Sequence, residues 1–136
     1  MAIFEEEGVD LRRVYIGHSN DTDDMEYLTG LIKKGCTLGM DRYSGGRGGS
    51  LDWEQRTQVV KQLIDLGYAN WVTLSHDGGD WRPDQPEAIE QRRAYNPDGI
   101  CFISRKVLPR LRELGASEED IRAITVDAPR RYFSGQ

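Results

Sequence analysis

Three short clusters hold the side chains best able to do chemistry: His18 with Asp21, Asp41-Arg42, and His76-Asp77. A neutral imidazole and a carboxylate are good ligands for Zn²⁺ and related divalent ions, so His18 and Asp77 are candidate metal ligands. Either residue would serve equally as a cap or a hydrogen-bonded turn residue. Asp21 reads in two ways, as a helix cap or as a proton acceptor near His18. Arg42 could stabilise an anionic oxygen or contact a substrate. An ion pair with neighbouring Asp41 is the plainer reading of Arg42 and is favoured. Successive strand residues face opposite sides, so His76 and Asp77 cannot both face one site. Trp53, Trp81 and Tyr95 lie near loops and are expected to cover apolar surface, with pocket lining as the second reading of Trp81. The run Gly45–Gly49 is not a phosphate loop, because no Lys-Ser/Thr follows it. Its glycines make ordering costly and predict a mobile loop.

These clusters need elements to position them. Val14-Tyr15-Ile16 predicts a short strand ending at Gly17-His18. Met25, Leu28, Leu31 and Ile32 recur at helical spacing, with Gly35 as the stop. Thr37 to Met40 predicts a second strand, ending at Asp41-Arg42. Asp52 with Gln55 forms a capping box for a helix whose stripe is Val59, Val60, Leu63 and Ile64. Trp71 to Leu74 predicts the third strand, ending at Ser75-His76-Asp77. A long irregular stretch with a short helix near Glu87 to Arg93 follows. Ser104 to Leu114 predicts a helix whose regular part starts near Lys106, because of Pro109. Ser117 with Asp120 caps two further helical turns running to Phe133. Strand–helix alternation predicts an α/β fold with a parallel sheet, and right-handed crossovers gather the polar strand ends on one side.

Composition narrows the function classes. The chain has 136 residues, which suits one domain of ordinary size. Eighteen basic against twenty-three acidic residues give a net charge of −5, which argues against nucleic acid as a partner. No apolar run reaches the roughly 18 residues of a spanning helix, so no membrane role is expected. Met1 to Gly8 lacks the basic start and apolar stretch of a secretory signal. The two cysteines, Cys36 and Cys101, predict free thiols in a reducing, cytoplasmic setting. Outside a secretory route the sequon Asn20-Asp21-Thr22 carries no modification.

The stretch Ile16-Gly17-His18-Ser19-Asn20-Asp21-Thr22-Asp23-Asp24 resembles the sixth-strand motif of bacterial phosphotriesterases and their lactonase relatives. Gly39-Met40-Asp41-Arg42 and Leu74-Ser75-His76-Asp77 resemble their seventh- and eighth-strand motifs. Asn96-Pro97-Asp98-Gly99 and the tail Ile124 to Arg131 look like the same family, in register over nearly the whole chain. The resemblance implies the amidohydrolase superfamily, a (β/α)₈ TIM barrel and a binuclear divalent-metal site, zinc in the first instance. It implies a hydrolase of phosphotriester or lactone esters, small molecules. His18 would ligate the more exposed metal. Asp77, the inward residue of its pair, would ligate the buried metal and accept a proton. Asp21 would pass that proton outward, Arg42 would sit at the substrate pocket, and the loop after Asp77, with Trp81, would shape the leaving-group side.

The departures are equally specific. The family's remaining ligands are a His-x-His pair, a carboxylated lysine and another histidine. This chain has two histidines, both already placed. A barrel of this type needs about 250 residues, and these 136 would supply about strands 6 to 8 with their helices. The expectation is therefore the C-terminal portion of such a barrel, incomplete as a single domain and inactive alone. It would be completed by self-association or by a missing N-terminal half. The rival expectation is a non-catalytic half-barrel that assembles or binds.

Overall fold

A computed structural model describes residues 2–44, 50–77 and 86–135. Among them lie seven α-helices and three strands: helix α1 (Ala2–Glu6), strand β1 (Tyr15–Ile16), α2 (Met25–Lys33), β2 (Thr37–Met40), α3 (Trp53–Asp65), β3 (Val72–Leu74), α4 (Pro86–Tyr95), α5 (Leu108–Glu113), α6 (Glu118–Arg122) and α7 (Ala128–Ser134). The three strands form one parallel sheet in the order β1-β2-β3. Tyr15 pairs with Thr37, and Leu38 with Val72. Because every strand runs the same way, all three C-terminal ends share one edge of the sheet.

Side-chain alternation sorts the two faces of β2. Leu38 and Met40 are fully buried in the core with Leu28, Leu31 and Ile32 of α2 and Val59, Val60, Leu63 and Ile64 of α3. The same alternation turns Gly39 the other way, and there the Tyr15 ring crosses it to reach the Thr73 hydroxyl at 3.0 Å. Val107, Leu111, Ile121 and Ile124 extend the core along the C-terminal helices. Asp52 and Gln55 close the capping box of α3 reciprocally at 2.8 and 2.9 Å. Ser117 and Asp120 do the same for α6.

The departures from expectation have local causes. Trp71 is not in β3. It ends a 3₁₀ turn, Ala69–Trp71, and the Arg131 guanidinium stacks 4.0 Å from its ring centroid. The helix expected from about Lys106 instead opens with a π-helical turn, Ile103–Val107, and a second such turn spans Ala123–Asp127. Each is followed two residues later by a proline, Pro109 or Pro129. Proline has no N–H to donate and crowds the carbonyl four residues back; a wider turn relieves both. The Asn20 amide is fully buried, so the sequon is closed to modification. The glycine run Gly45–Gly49 lies outside the described residues. No helix among the described residues is long and apolar enough to cross a membrane.

Candidate functional site at the strand ends

The polar clusters meet at the C-terminal edge of the sheet. His18 and Asp77 follow β1 and β3, and both have left-handed backbone, with φ of 58° and 46°. They are the only non-glycine residues with positive φ among the described residues. Backbone of this kind is uncommon outside glycine and gathers at functional positions. Asp41, just after β2, holds His18 twice. Its Oδ1 accepts the His18 backbone N–H at 2.7 Å and lies 2.9 Å from His18 Nδ1. With Nδ1–H directed at a carboxylate, the lone pair of Nε2 is left free to ligate, the arrangement that orients metal-binding histidines. Gly17 makes room for this contact, since a Cβ there would stand 3.2 Å from Asp41 Oδ2.

Arg42 does not pair with Asp41, contrary to the reading favoured from sequence. Asp41 is taken by His18, and Arg42 reaches the other two carboxylates instead. Its Nη1 donates to Asp21 Oδ2 at 3.1 Å, and its Nε lies 3.6 Å from Asp77 Oδ2. Its backbone N–H donates to Asn20 Oδ1 at 3.2 Å. Nor does Asp21 cap α2. That role falls to Asp24, which accepts the Tyr27 N–H at 3.0 Å, while Asp21 lies in the 3₁₀ turn Ser19–Asp21. Asp21 also meets Arg56 of α3, Oδ1 to Nη1 2.8 Å. The edge thus joins four of the five residues expected to form a site. The fifth, Trp81, lies outside the described residues. Tyr95 is exposed, and Trp53 packs edge-to-face on Phe102 at 5.9 Å.

Sequence context alone does not single out Asp41 as the partner of His18, nor Arg56 as the partner of Asp21. A signal existed for each. Gly17 beside His18 marks a close approach, and Arg56 stands three and four residues before Val59 and Val60, on the buried stripe of its helix.

Among the described residues no three His, Cys, Asp or Glu side chains come together as a metal-binding group. Catalytic zinc ordinarily keeps three protein ligands. His18 and Asp77 alone do not complete such a site.

The two histidines respond oppositely to their surroundings. The hydrogen bond that His18 donates to Asp41 raises the His18 pKa above the ordinary value, against a smaller lowering by desolvation. Asp41→Asn is therefore expected to return His18 to the ordinary histidine range, read from its imidazole signals in a metal-free NMR titration. An unmoved midpoint would mean that Asp41 does not hold the ring. His76 turns away from the edge; its Nε2 accepts the Ile103 N–H at a long 3.4 Å, and burial lowers its pKa. A histidine depressed in the folded state supports folding above its ordinary range. That support is lost as pH falls from that range through the lowered value. His76→Gln is expected to flatten this acid limb of the stability curve, and an acid limb equally steep in the variant would acquit His76.

A parallel α/β sheet with its polar residues gathered past the strand ends is the layout of α/β enzymes whose sites lie at that edge. The comparisons narrow this. The model of the phosphotriesterase family matches residues 1–133, and the chain belongs to that family. The "Phosphotriesterase homology protein" of Mycobacterium tuberculosis H37Rv is 37% identical over 134 residues, covering 98% of this chain and 40% of that protein. The "Aryldialkylphosphatase" of Saccharolobus solfataricus is 34% identical over 140 residues, covering 97% of this chain and 42% of that protein. The solved "phosphotriesterase from Mycobacterium tuberculosis" superposes with a TM-score of 0.86 at 37% identity, covering 97% of this chain and 40% of that one. The chain thus spans about two fifths of the length of these relatives.

Proposed function

We propose that these residues are the C-terminal portion of a (β/α)₈ hydrolase, about strands 6 to 8, acting on phosphotriester or lactone esters. The observation that carries the reading is the left-handed backbone shared by His18 and Asp77. Neither residue is strained for packing, since both stand at the polar edge. In a completed barrel His18 and Asp77 would hold part of a divalent-metal site, with the other ligands supplied by residues beyond these 136. A metal held there would supply Lewis acidity and an activated water. Asp77 would serve as the proton acceptor beside it. Arg42 faces substrate and keeps Asp77 oriented. A guanidinium does not give up its proton, so a proton leaving Asp77 reaches Asp21 by way of water and not through Arg42. These residues alone are inactive by this reading, and an N-terminal half, or a second copy, completes the barrel.

A second reading is favoured by the two outer strands of the sheet, β1 and β3, each of which pairs on one side only among the described residues. Unpaired edges recruit other chains, and a half-barrel that only assembles would use these edges without catalysis. One experiment separates the two. An aryl phosphotriester and a lactone are offered to the chain alone and to the chain joined to a complete barrel's N-terminal half. Turnover by the joined protein alone, lost on chelation and in His18→Ala, supports the hydrolase. A folded joined protein that binds metal and turns over neither substrate supports the assembling module.

A further inference from the structure

The largest fully buried side chain among the described residues is a charged one, Arg56, at 1% exposure. It stands on the buried stripe of α3, yet its head does not end among apolar side chains. Nε donates to the Leu51 carbonyl at 2.7 Å. Nη1 stands 2.8 Å from Asp21 Oδ1, a close ion contact that is off-axis for a hydrogen bond. A buried guanidinium is costly unless an anion and acceptors meet it. A residue needed only to fill space would be apolar here, because an apolar side chain of that volume avoids the desolvation cost.

What the cost secures lies further out. Asp21 uses its other oxygen on Arg42, and Arg42 stands against Asp77. Charges therefore alternate from the core to the edge of the sheet: Arg56, Asp21, Arg42, Asp77. Only the first is buried; the other three side chains are 37% to 50% exposed. Three partly solvated groups on flexible stems do not hold one arrangement by themselves, since such pairs contribute little in water. The buried end supplies the fixed point.

We infer that Arg56 is a positioning residue: by anchoring Asp21 from below, it sets where Arg42 stands against Asp77. The geometric claim concerns this chain alone, and its catalytic weight rests on the hydrolase reading. Lysine could not replace it, because a single ammonium cannot serve the Leu51 carbonyl and the Asp21 carboxylate in one fork.

The test reads Arg42, a residue Arg56 does not touch, in side-chain Nε–Hε spectra of the 136-residue chain. In the wild type, Arg42 is expected to give a resolved signal displaced from the position of an unrestrained arginine. Arg56→Met is expected to return the signal to that position, with the core methyl spectrum unchanged. A loss of packing alone would shift core methyls and leave Arg42 where it was. Should Arg56→Met fail to fold, Arg56→Lys decides. It is expected to move the Arg42 signal in the same direction by a smaller amount. An Arg42 signal unmoved in a folded variant overturns the inference. The outcome is separate from the turnover assay: a moved signal without ester hydrolysis would sink the hydrolase reading and leave the positioning role standing.

Discussion

In a completed barrel carrying this chain, Asp77→Asn is expected to lower hydrolysis of an aryl phosphotriester or a lactone by about 100- to 10,000-fold, the range of a lost proton acceptor. The substitution isolates charge unusually well. Asp77 has a φ of 46°, and asparagine is one of the few residues that adopts this backbone as readily as aspartate. The amide also matches the carboxyl in shape, so nothing in the turn must move. What changes is the negative charge facing Arg42 at 3.6 Å, the strength of the ligand offered to a metal, and the capacity to accept a proton. The measurement is kcat for both substrates, with the thermal midpoint as a control. Full turnover in a folded variant would remove Asp77 from the chemistry and leave its backbone strain without a purpose. A fall in turnover with an unchanged midpoint would tie that strain to function.

Much of this site is legible in the sequence, because a parallel sheet converts sequence position into spatial position. His18, Asp41 and Asp77 each follow a short apolar run, and three parallel strands must bring such residues to one edge. The helix starts were legible for the same local reason: Asp52 with Gln55, and Ser117 with Asp120, satisfy orphan backbone donors by themselves. Partner choice was not legible. Asp41 is adjacent to Arg42 in the chain, so proximity suggests that pair, yet the carboxylate goes to His18 on the neighbouring strand. Sequence neighbours near a strand end point apart, whereas residues one strand away can point together. The wide turns before Pro109 and Pro129 were hidden for another reason. Proline announces that a regular helix cannot continue unchanged, but not whether the chain will break, start late or widen.

The second large effect concerns the sheet that carries these strand ends. Gly39→Ala is expected to destabilise the chain by about 1–3 kcal/mol, the usual cost of overpacking a filled site. A Cβ at Gly39 would fall 2.3 Å from the Tyr15 hydroxyl oxygen and 2.4 Å from the ring carbon bearing it. Backbone conformation is not the issue, since Gly39 is not among the glycines with positive φ. The obstacle is an aromatic ring fixed at both ends. Its hydroxyl bonds Thr73 at 3.0 Å, and its ring packs tilted on that of Tyr132 with centroids 5.4 Å apart. To admit a methyl group, Tyr15 must leave both contacts, and a side chain that spans all three strands is lost. Urea unfolding should show the midpoint fall in Gly39→Ala. Tyr15→Ala removes the obstacle in advance, so the double variant should lose less than the two single losses added together. Strict additivity would mean that Tyr15 does not sit over Gly39. Because His18, Asp41 and Asp77 hang from the ends of the same three strands, Gly39→Ala should also loosen the Asp41–His18 contact. The His18 imidazole would then titrate closer to the ordinary histidine value, linking the packing of the inner sheet face to the geometry of the edge.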